Sequence, residues 1–273
     1  MSSDIRLVIC DADHTLANKE RMLSERTKAM IARLGEQGIL FGIASGRPVE
    51  DSLRFCERWG LPEQPDVMIG YNGSELWLRD GDRMFTYHIL GKDVLEYIVK
   101  QMSELFPFAN PQFYIPGTLL VGLEDDKYLG SAQRAGREPR IAEDLSEFYA
   151  DDNPKIMYRV PVDRMDEVEA YWNEHPSDQF ITLRTQPTMF EFCHPDAGKG
   201  YALLKWCEMT GTDPEQVMAF GDDMNDLSMI EVCVGVAVEN AIPAIKAAAR
   251  YVTRFDHDAD GVAEFVETHV LNG

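Results

Sequence analysis

Leu7-Val8-Ile9-Cys10-Asp11-Ala12-Asp13-His14-Thr15-Leu16 is the stretch on which the fold turns. Its first four residues are apolar and partly β-branched, and the run stops at a carboxylate, which reads as a short buried strand. Ser24 then offers an N-cap for a helix whose Met30, Ile31 and Leu34 share one face and which stops near Gly38. A second apolar run, Ile39 to Ala44, follows and leads through Ser45-Gly46-Arg47 into a helix from Leu53 to Trp59. Val67 to Gly70 is a third run of the same kind. Strands that are apolar along their whole length, alternating with helices, predict a parallel sheet covered on both faces. In such sheets the site lies at the carboxyl ends of the strands, and Asp11, Ser45 and Tyr71 each stand directly after one.

The pattern changes after Asn72-Gly73. Glu75 to Leu78 and Met84 to His88 flank Arg79-Asp80-Gly81-Asp82 as a hairpin would. Helix-like segments (93–106, 163–174) then mix with strand-like ones (118–123, 156–160, 180–183, 189–193). Regular alternation returns with a helix from Gly200, strands at Val217–Phe220 and Val234–Val238, and helices from Asn225 and Ile242. The expected architecture is α/β: a doubly wound, Rossmann-like parallel-sheet core over residues 1–83 and 191–273, with an inserted α+β cap over 84–190 that selects the substrate.

The composition of the 273 residues narrows the partners. Hydrophobic residues at 45% and charged residues at 27% are ordinary globular usage. The formal charge of -21, from 26 Lys and Arg against 47 Asp and Glu, repels nucleic acid and anionic lipid, so neither is an expected partner. The same surface does not steer an anionic ligand inward, so an anion site has to be locally positive. Five cysteines without a C-x-x-C pair argue against a disulfide framework and a thiolate metal site. The N-terminus does not read as a signal peptide and no apolar run is long enough for a membrane span, so a cytoplasmic protein is expected; with a full-sized cap over the site, a monomer is the default expectation.

Four short segments carry chemistry. Two carboxylates two residues apart, Asp11 and Asp13, can converge at a strand end, where they favour a bound cation or a raised pKa; a pair of solvated or capping acids is the ordinary alternative. Gly221-Asp222-Asp223-Met224-Asn225-Asp226 follows the strand Val217–Phe220 and offers oxygen ligands for a hard cation such as Mg²⁺. There an Asp-rich helix cap accounts for one acid but not for three. Ser45 and Gly46 place a hydroxyl and backbone N–H groups at a helix start, suited to a phosphoryl oxygen. Lys199 stands between Gly198 and Gly200 at another helix start, and on its own reads more readily as a surface lysine on a flexible turn. Together the four supply a nucleophile, an acid, metal ligands, a hydroxyl and a cation, the parts that phosphoryl transfer requires.

As a set, these segments resemble the motifs of the haloacid dehalogenase superfamily of phosphatases, within it the Cof-type sugar-phosphatase branch. D-x-D-x-T corresponds to Asp11, Asp13 and Thr15, the second motif to Ser45, the third to Lys199, and G-D-x-x-N-D to Gly221 through Asp226. Tyr71-Asn72-Gly73 is similar to the branch's N-G segment. The resemblance implies Asp11 as nucleophile and Mg²⁺ ligand, and Asp13 as general acid and base with its carbonyl on the metal. It implies Asp222 as the remaining protein ligand, and Ser45, Gly46, Lys199 and Asn225 around the phosphoryl group. Thr15 and Asp226 are supporting residues, and Asp223 falls at a variable position. His14 departs from the pattern, since glycine is common there. The implied substrate is a small phosphorylated metabolite, a sugar phosphate first and a pyridoxal or flavin phosphate second. A phospho-acceptor switch would share much of the inventory but has no use for Asp13, and hydrolytic dehalogenation needs neither Asp13 nor the acidic cluster. Gln112, Tyr114, Tyr158 and Arg184 are polar or aromatic candidates in the insert.

Overall fold

The computed structural model describes residues 4–61, 63–123 and 137–272. Met1 to Ser3, which entered the reading of the N-terminus, lie outside the described residues. Strand β1 (Leu7–Asp11) has every residue buried. Leu7 and Ile9 pack into one apolar cluster and Val8 and Cys10 into another, because alternate side chains leave opposite faces of a strand. A strand apolar on both faces therefore needs helices on both.

Ser24 caps helix α1 (Glu25–Glu36), its hydroxyl accepting the Thr27 N–H at 3.0 Å. Strand β2 (Leu40–Ala44), helix α2 (Val49–Trp59) and strand β3 (Val67–Gly70) follow. Gly60 ends α2 at φ 68°, the left-handed conformation that glycine adopts without steric cost. Strands β4 (Glu75–Leu78) and β5 (Arg83–Thr86) form the expected hairpin.

The insert contributes helix α3 (Lys92–Leu105) and strands β6 (Asn110–Ile115), β7 (Thr118–Val121), β8 (Glu138–Ile141) and β9 (Lys155–Arg159). Helix α4 (Met165–Glu174) and strands β10 (Ile181–Gln186) and β11 (Met189–Cys193) complete it. The chain then returns through helix α5 (Lys199–Thr210), strand β12 (Val217–Gly221), helix α6 (Leu227–Val232) and strand β13 (Val234–Ala237). Helix α7 (Pro243–Ala248), strand β14 (Tyr251–Val252) and helix α8 (Gly261–Val266) close it.

The chain divides into two compact units, Met1–Tyr87 with Gly198–Gly273, and His88–Ala197. In the first, the strand order is β14-β13-β12-β1-β2-β3-β4-β5. Pairing is parallel from β14 to β3 and antiparallel at β4 and β5. In the second unit the order is β10-β11-β9-β6-β7-β8, mostly antiparallel, with β7 and β8 parallel. Its core joins Leu95, Ile98 and Met102 of α3 to Trp172 of α4 and to Phe190 and Phe192 of β11.

These units move the expected boundaries. The hairpin partner β5 pairs with β4 in the first sheet, so the first crossing falls after Tyr87 rather than after 83. β11 pairs with β9 and β10, so the second falls after Ala197 rather than after 190. Sequence periodicity shows that a strand exists, not which sheet it joins, and that is where both boundaries slipped. Strand β6 was not anticipated either, because Pro111 removes a backbone donor within it.

Candidate active site

β1 stands between β2 and β12, so its last residue, Asp11, is flanked by the ends of both neighbours: Asp11 registers with Ala44, and Cys10 with Phe220. This is why residues as distant in sequence as Asp11, Ser45 and Asp222 gather at one edge of the sheet. Gly200 lets the fourth segment join them. A Cβ there would lie 2.2 Å from the Ser228 carbonyl oxygen, so only glycine allows the start of α5 to pass α6 this closely. Gly73 plays the same part on the other side, since its Cβ would fall 2.1 Å from the Gly198 carbonyl oxygen.

At the centre is Lys199, with no exposed surface. Its Nζ donates to Asp11 Oδ1 at 2.5 Å and to Asp226 Oδ1 at 2.6 Å. Asp226 is equally buried, and its Oδ2 accepts the N–H groups of Asp222 (2.9 Å) and Asp223 (3.3 Å). Both oxygens of Asp226 are thus committed to holding Lys199 and the loop. Thr15, also buried, donates its hydroxyl to Asp222 Oδ1 at 2.8 Å. Asp13 is half-buried, and its Oδ2 lies 2.7 Å from the Arg47 guanidinium.

A third set runs along the rim. Ser45 is buried; its carbonyl accepts the Asn72 N–H at 3.0 Å and its Oγ accepts the Arg47 N–H at 3.2 Å. A Cβ at Gly46 would meet Asn72 Oδ1 at 3.2 Å. The exposed Asn225 donates from Nδ2 to Asn72 Oδ1 at 3.1 Å. Asn72 sits at φ 56°, in the left-handed region that asparagine tolerates better than most residues. Sequence reasoning gave Arg47 and Asn72 no role, although it quoted both. Asn240 was passed over altogether; its Nδ2 donates to the His14 carbonyl at 2.8 Å and so holds the loop after Asp13.

The electrostatics follow from this packing. Burial raises the Asp11 carboxyl well above the usual carboxylate range, with Lys199 pulling it down and Asp226 and Asp222 pushing it up. Burial raises Asp222 to about 6, and the Thr15 hydrogen bond works against that rise. Burial alone would lower the Lys199 ammonium, but Asp11 and Asp226 more than offset it and it is raised.

Oxygens of Asp11, Asp222 and Asp226 lie within 4.8 Å of one another. Ionised, these three carry three negative charges against the one positive charge of Lys199, while Asp13 and Arg47 cancel. The excess is what one divalent cation neutralises, and an all-oxygen donor set suits Mg²⁺. Because Asp226 is fully engaged by Lys199 and two amides, Asp11 and Asp222 are the carboxylates that could hold the cation.

Other candidates sit elsewhere. Asp223 accepts the Met224 N–H and caps the short helical turn that follows, the ordinary role for one acid of the cluster. His14 is exposed, with its ring edge-on to His257 at 5.4 Å. In the second unit Tyr158 is buried within the apolar core beside Phe192, and Gln112 is buried in β6. Arg184 is tied to Asp166 and Glu169, and Tyr114 lies under the Arg137 guanidinium at 5.0 Å.

Comparison with known proteins gives the family. The model of the haloacid dehalogenase-like hydrolases matches residues 8–266. The chain belongs to that family. Among the relatives of this hydrolase is YxeH of Bacillus subtilis, 26% identical over 273 residues (97% of this chain, 98% of the other), whose name marks it provisionally as a phosphatase. Another is YitU of the same organism, a 5-amino-6-(5-phospho-D-ribitylamino)uracil phosphatase, 25% identical over 267 residues (96% and 97%). A solved haloacid dehalogenase-like hydrolase from Bacteroides thetaiotaomicron superposes with a TM-score of 0.86 at 26% identity (97% and 99%). The hydrolase described here is accordingly an enzyme, a phosphatase of the haloacid dehalogenase superfamily with the α/β fold of its relatives. No helix among its described residues is long and apolar enough to cross a membrane.

Proposed function

We propose that the enzyme hydrolyses small phosphate monoesters through a covalent aspartyl phosphate on Asp11. The observation that carries this reading is the buried Lys199, clamped between Asp11 and Asp226 at 2.5 and 2.6 Å. A lysine desolvated this completely and fixed from two sides is a preorganised positive charge, of the kind that stabilises a transferring phosphoryl group.

Lys199 holds Asp11 by Oδ1, so Oδ2 is the oxygen that attacks phosphorus. As that bond forms, the bond from phosphorus to the leaving oxygen breaks, and Asp13 delivers a proton to the departing alkoxide. Asp13 then takes a proton from water, which attacks phosphorus and releases inorganic phosphate from Asp11. Arg47 orients Asp13 between these events; a guanidinium does not give up its proton, so it acts by position. Ser45, Gly46, Lys199 and Asn225 bind the phosphoryl oxygens, while Thr15 and Asp226 fix Asp222 and Lys199. Asp11, Asp222 and the Asp13 carbonyl would hold Mg²⁺, which would neutralise phosphoryl charge when bound.

The insert is the substrate-selecting unit in this reading. Sugar phosphates are the first substrate class. A phosphorylated cofactor or its precursor is the second, favoured by the 25% identity to YitU, which is named for a phosphoribityl substrate. The chain is assigned no nucleic acid or membrane partner, and acts as a cytoplasmic monomer. The test is phosphate release from a panel of phosphorylated metabolites, with Mg²⁺ and with EDTA, by the wild type and by Asp11→Asn. Release by the wild type alone, abolished by EDTA, supports the proposal. Undiminished release by Asp11→Asn removes its basis.

A further inference from the structure

His88, His194 and Asp196 form a second cluster that shares no residue with the catalytic motifs. His88 is the first residue of the second unit, and His194 and Asp196 lie close to its last. One ligand atom from each lies within 4.8 Å of the others. The two imidazole centroids are 5.1 Å apart, with ring planes at 34°. Two imidazoles sharing a tetrahedral cation at metal–nitrogen distances near 2.0–2.1 Å have centroids about 5 Å apart. The rings therefore already have the spacing that a common cation requires. Both histidines are half-buried, and Asp196 is exposed, with rotamer freedom to bring its carboxylate in. Its backbone N–H donates to His194 Nδ1 at 3.1 Å, which folds residue 196 back toward the ring.

We propose that His88, His194 and Asp196 bind a borderline first-row divalent cation, Zn²⁺ being the representative case. Two imidazoles and one carboxylate suit Zn²⁺ and its neighbours, whereas the carboxylates of Asp11 and Asp222 suit a hard ion. The two sites thus sort two kinds of cation in one chain. The bound ion links the two ends of the second unit and, because it binds only the folded arrangement, raises its thermal stability. This site does not depend on the proposed reaction.

The experiment is Zn²⁺ binding to the full chain with Mg²⁺ in excess, by equilibrium dialysis and by the Zn²⁺-induced rise in Tm. Co²⁺ serves as an absorption probe of nitrogen ligation. The wild type binds one Zn²⁺, as does Asp222→Asn, and affinity falls at least about tenfold in His88→Gln and in His194→Gln, together with the rise in Tm. Absence of Zn²⁺ binding by the wild type overturns the proposal. So does binding that survives in both histidine variants or disappears in Asp222→Asn, since the ion then occupies the carboxylate site. Should a histidine variant fail to fold, the exposed Asp196→Asn decides, and an unchanged Zn²⁺ affinity there is equally fatal.

Discussion

Replacing Lys199 by Met keeps the length and most of the volume of the side chain while deleting its charge. In the wild type that charge is fully buried and bonded to two carboxylates, at 2.5 and 2.6 Å. Removing one partner of a buried ion pair costs about 3–5 kcal/mol, because the charge left behind is uncompensated. Here Asp226 loses its counter-ion, while Asp11, already raised to about 8 with Lys199 in place, takes up a proton, so that range is the loss expected for the metal-free protein at pH 8. At roughly 2–4 °C per kcal/mol this lowers Tm by about 6–20 °C. The sign of the pH dependence follows from Asp11. Its folded-state pKa is raised by burial, and Lys199 is the group that pulls it down. Without Lys199 the carboxyl rises further and takes up a proton at higher pH, relieving the buried charge. The deficit relative to wild type therefore grows as pH rises through about 8 and levels off below about pH 7, where Asp11 is protonated in both proteins. Mg²⁺, which restores positive charge, shrinks it. Thermal melts of both proteins in EDTA across this range are the assay. A Tm within about 2 °C of wild type at pH 8, or a deficit that grows as pH falls, would refute the view of Lys199 as the counter-ion of a buried pair.

Gly200→Ala forces a Cβ to 2.2 Å from the Ser228 carbonyl, costing about 1–3 kcal/mol or more and displacing the neighbouring Lys199. Melts and kcat should both fall, while Gly198→Ala, whose Cβ meets the Ser228 side chain (Oγ at 3.2 Å, Cβ at 3.7 Å) and no backbone, does less harm. Asp222, raised to about 6, must lose its proton to bind a cation. Mg²⁺ affinity measured by calorimetry should therefore drop about fivefold from pH 6 to pH 5 through Asp222 alone, and a flat profile contradicts the assignment. In the second unit Lys155 and Glu191 form a buried pair at 2.8 Å. Lys155→Met alone should cost about 3–5 kcal/mol by denaturant unfolding, and the apolar double variant Lys155→Met with Glu191→Leu should recover much of it.

Much of the first unit and of the candidate site was legible because the chemistry is local. The run from Leu7 to Cys10 is apolar on both faces and so announces a central strand, and Asp11 is placed by that strand alone. The acids from Asp222 to Asp226 likewise follow β12 directly, and one of them, Asp223, proved to be the helix cap that an acid-rich turn allows. What the residues did not disclose depends on which strands become neighbours. The Arg47–Asp13 ion pair and the Asn72–Asn225 hydrogen bond join segments far apart in the chain, and each forms only because β1, β2, β3 and β12 are adjacent. Pro111 hid β6 for a different reason: a residue without an N–H reads as a strand breaker, yet here it pairs with Tyr158 in the interior of the sheet.

The central claim is that Asp11 carries the phosphoryl group. Its most direct test is an acid quench during turnover of the best panel substrate, followed by mass analysis of the peptide containing Asp11. The account predicts a peptide heavier by one phosphoryl group, accumulating when Asp13→Ala slows hydrolysis of the intermediate and missing from Asp11→Asn. Turnover with no modified Asp11 peptide in either the wild type or Asp13→Ala would contradict it, and direct attack by water would take its place.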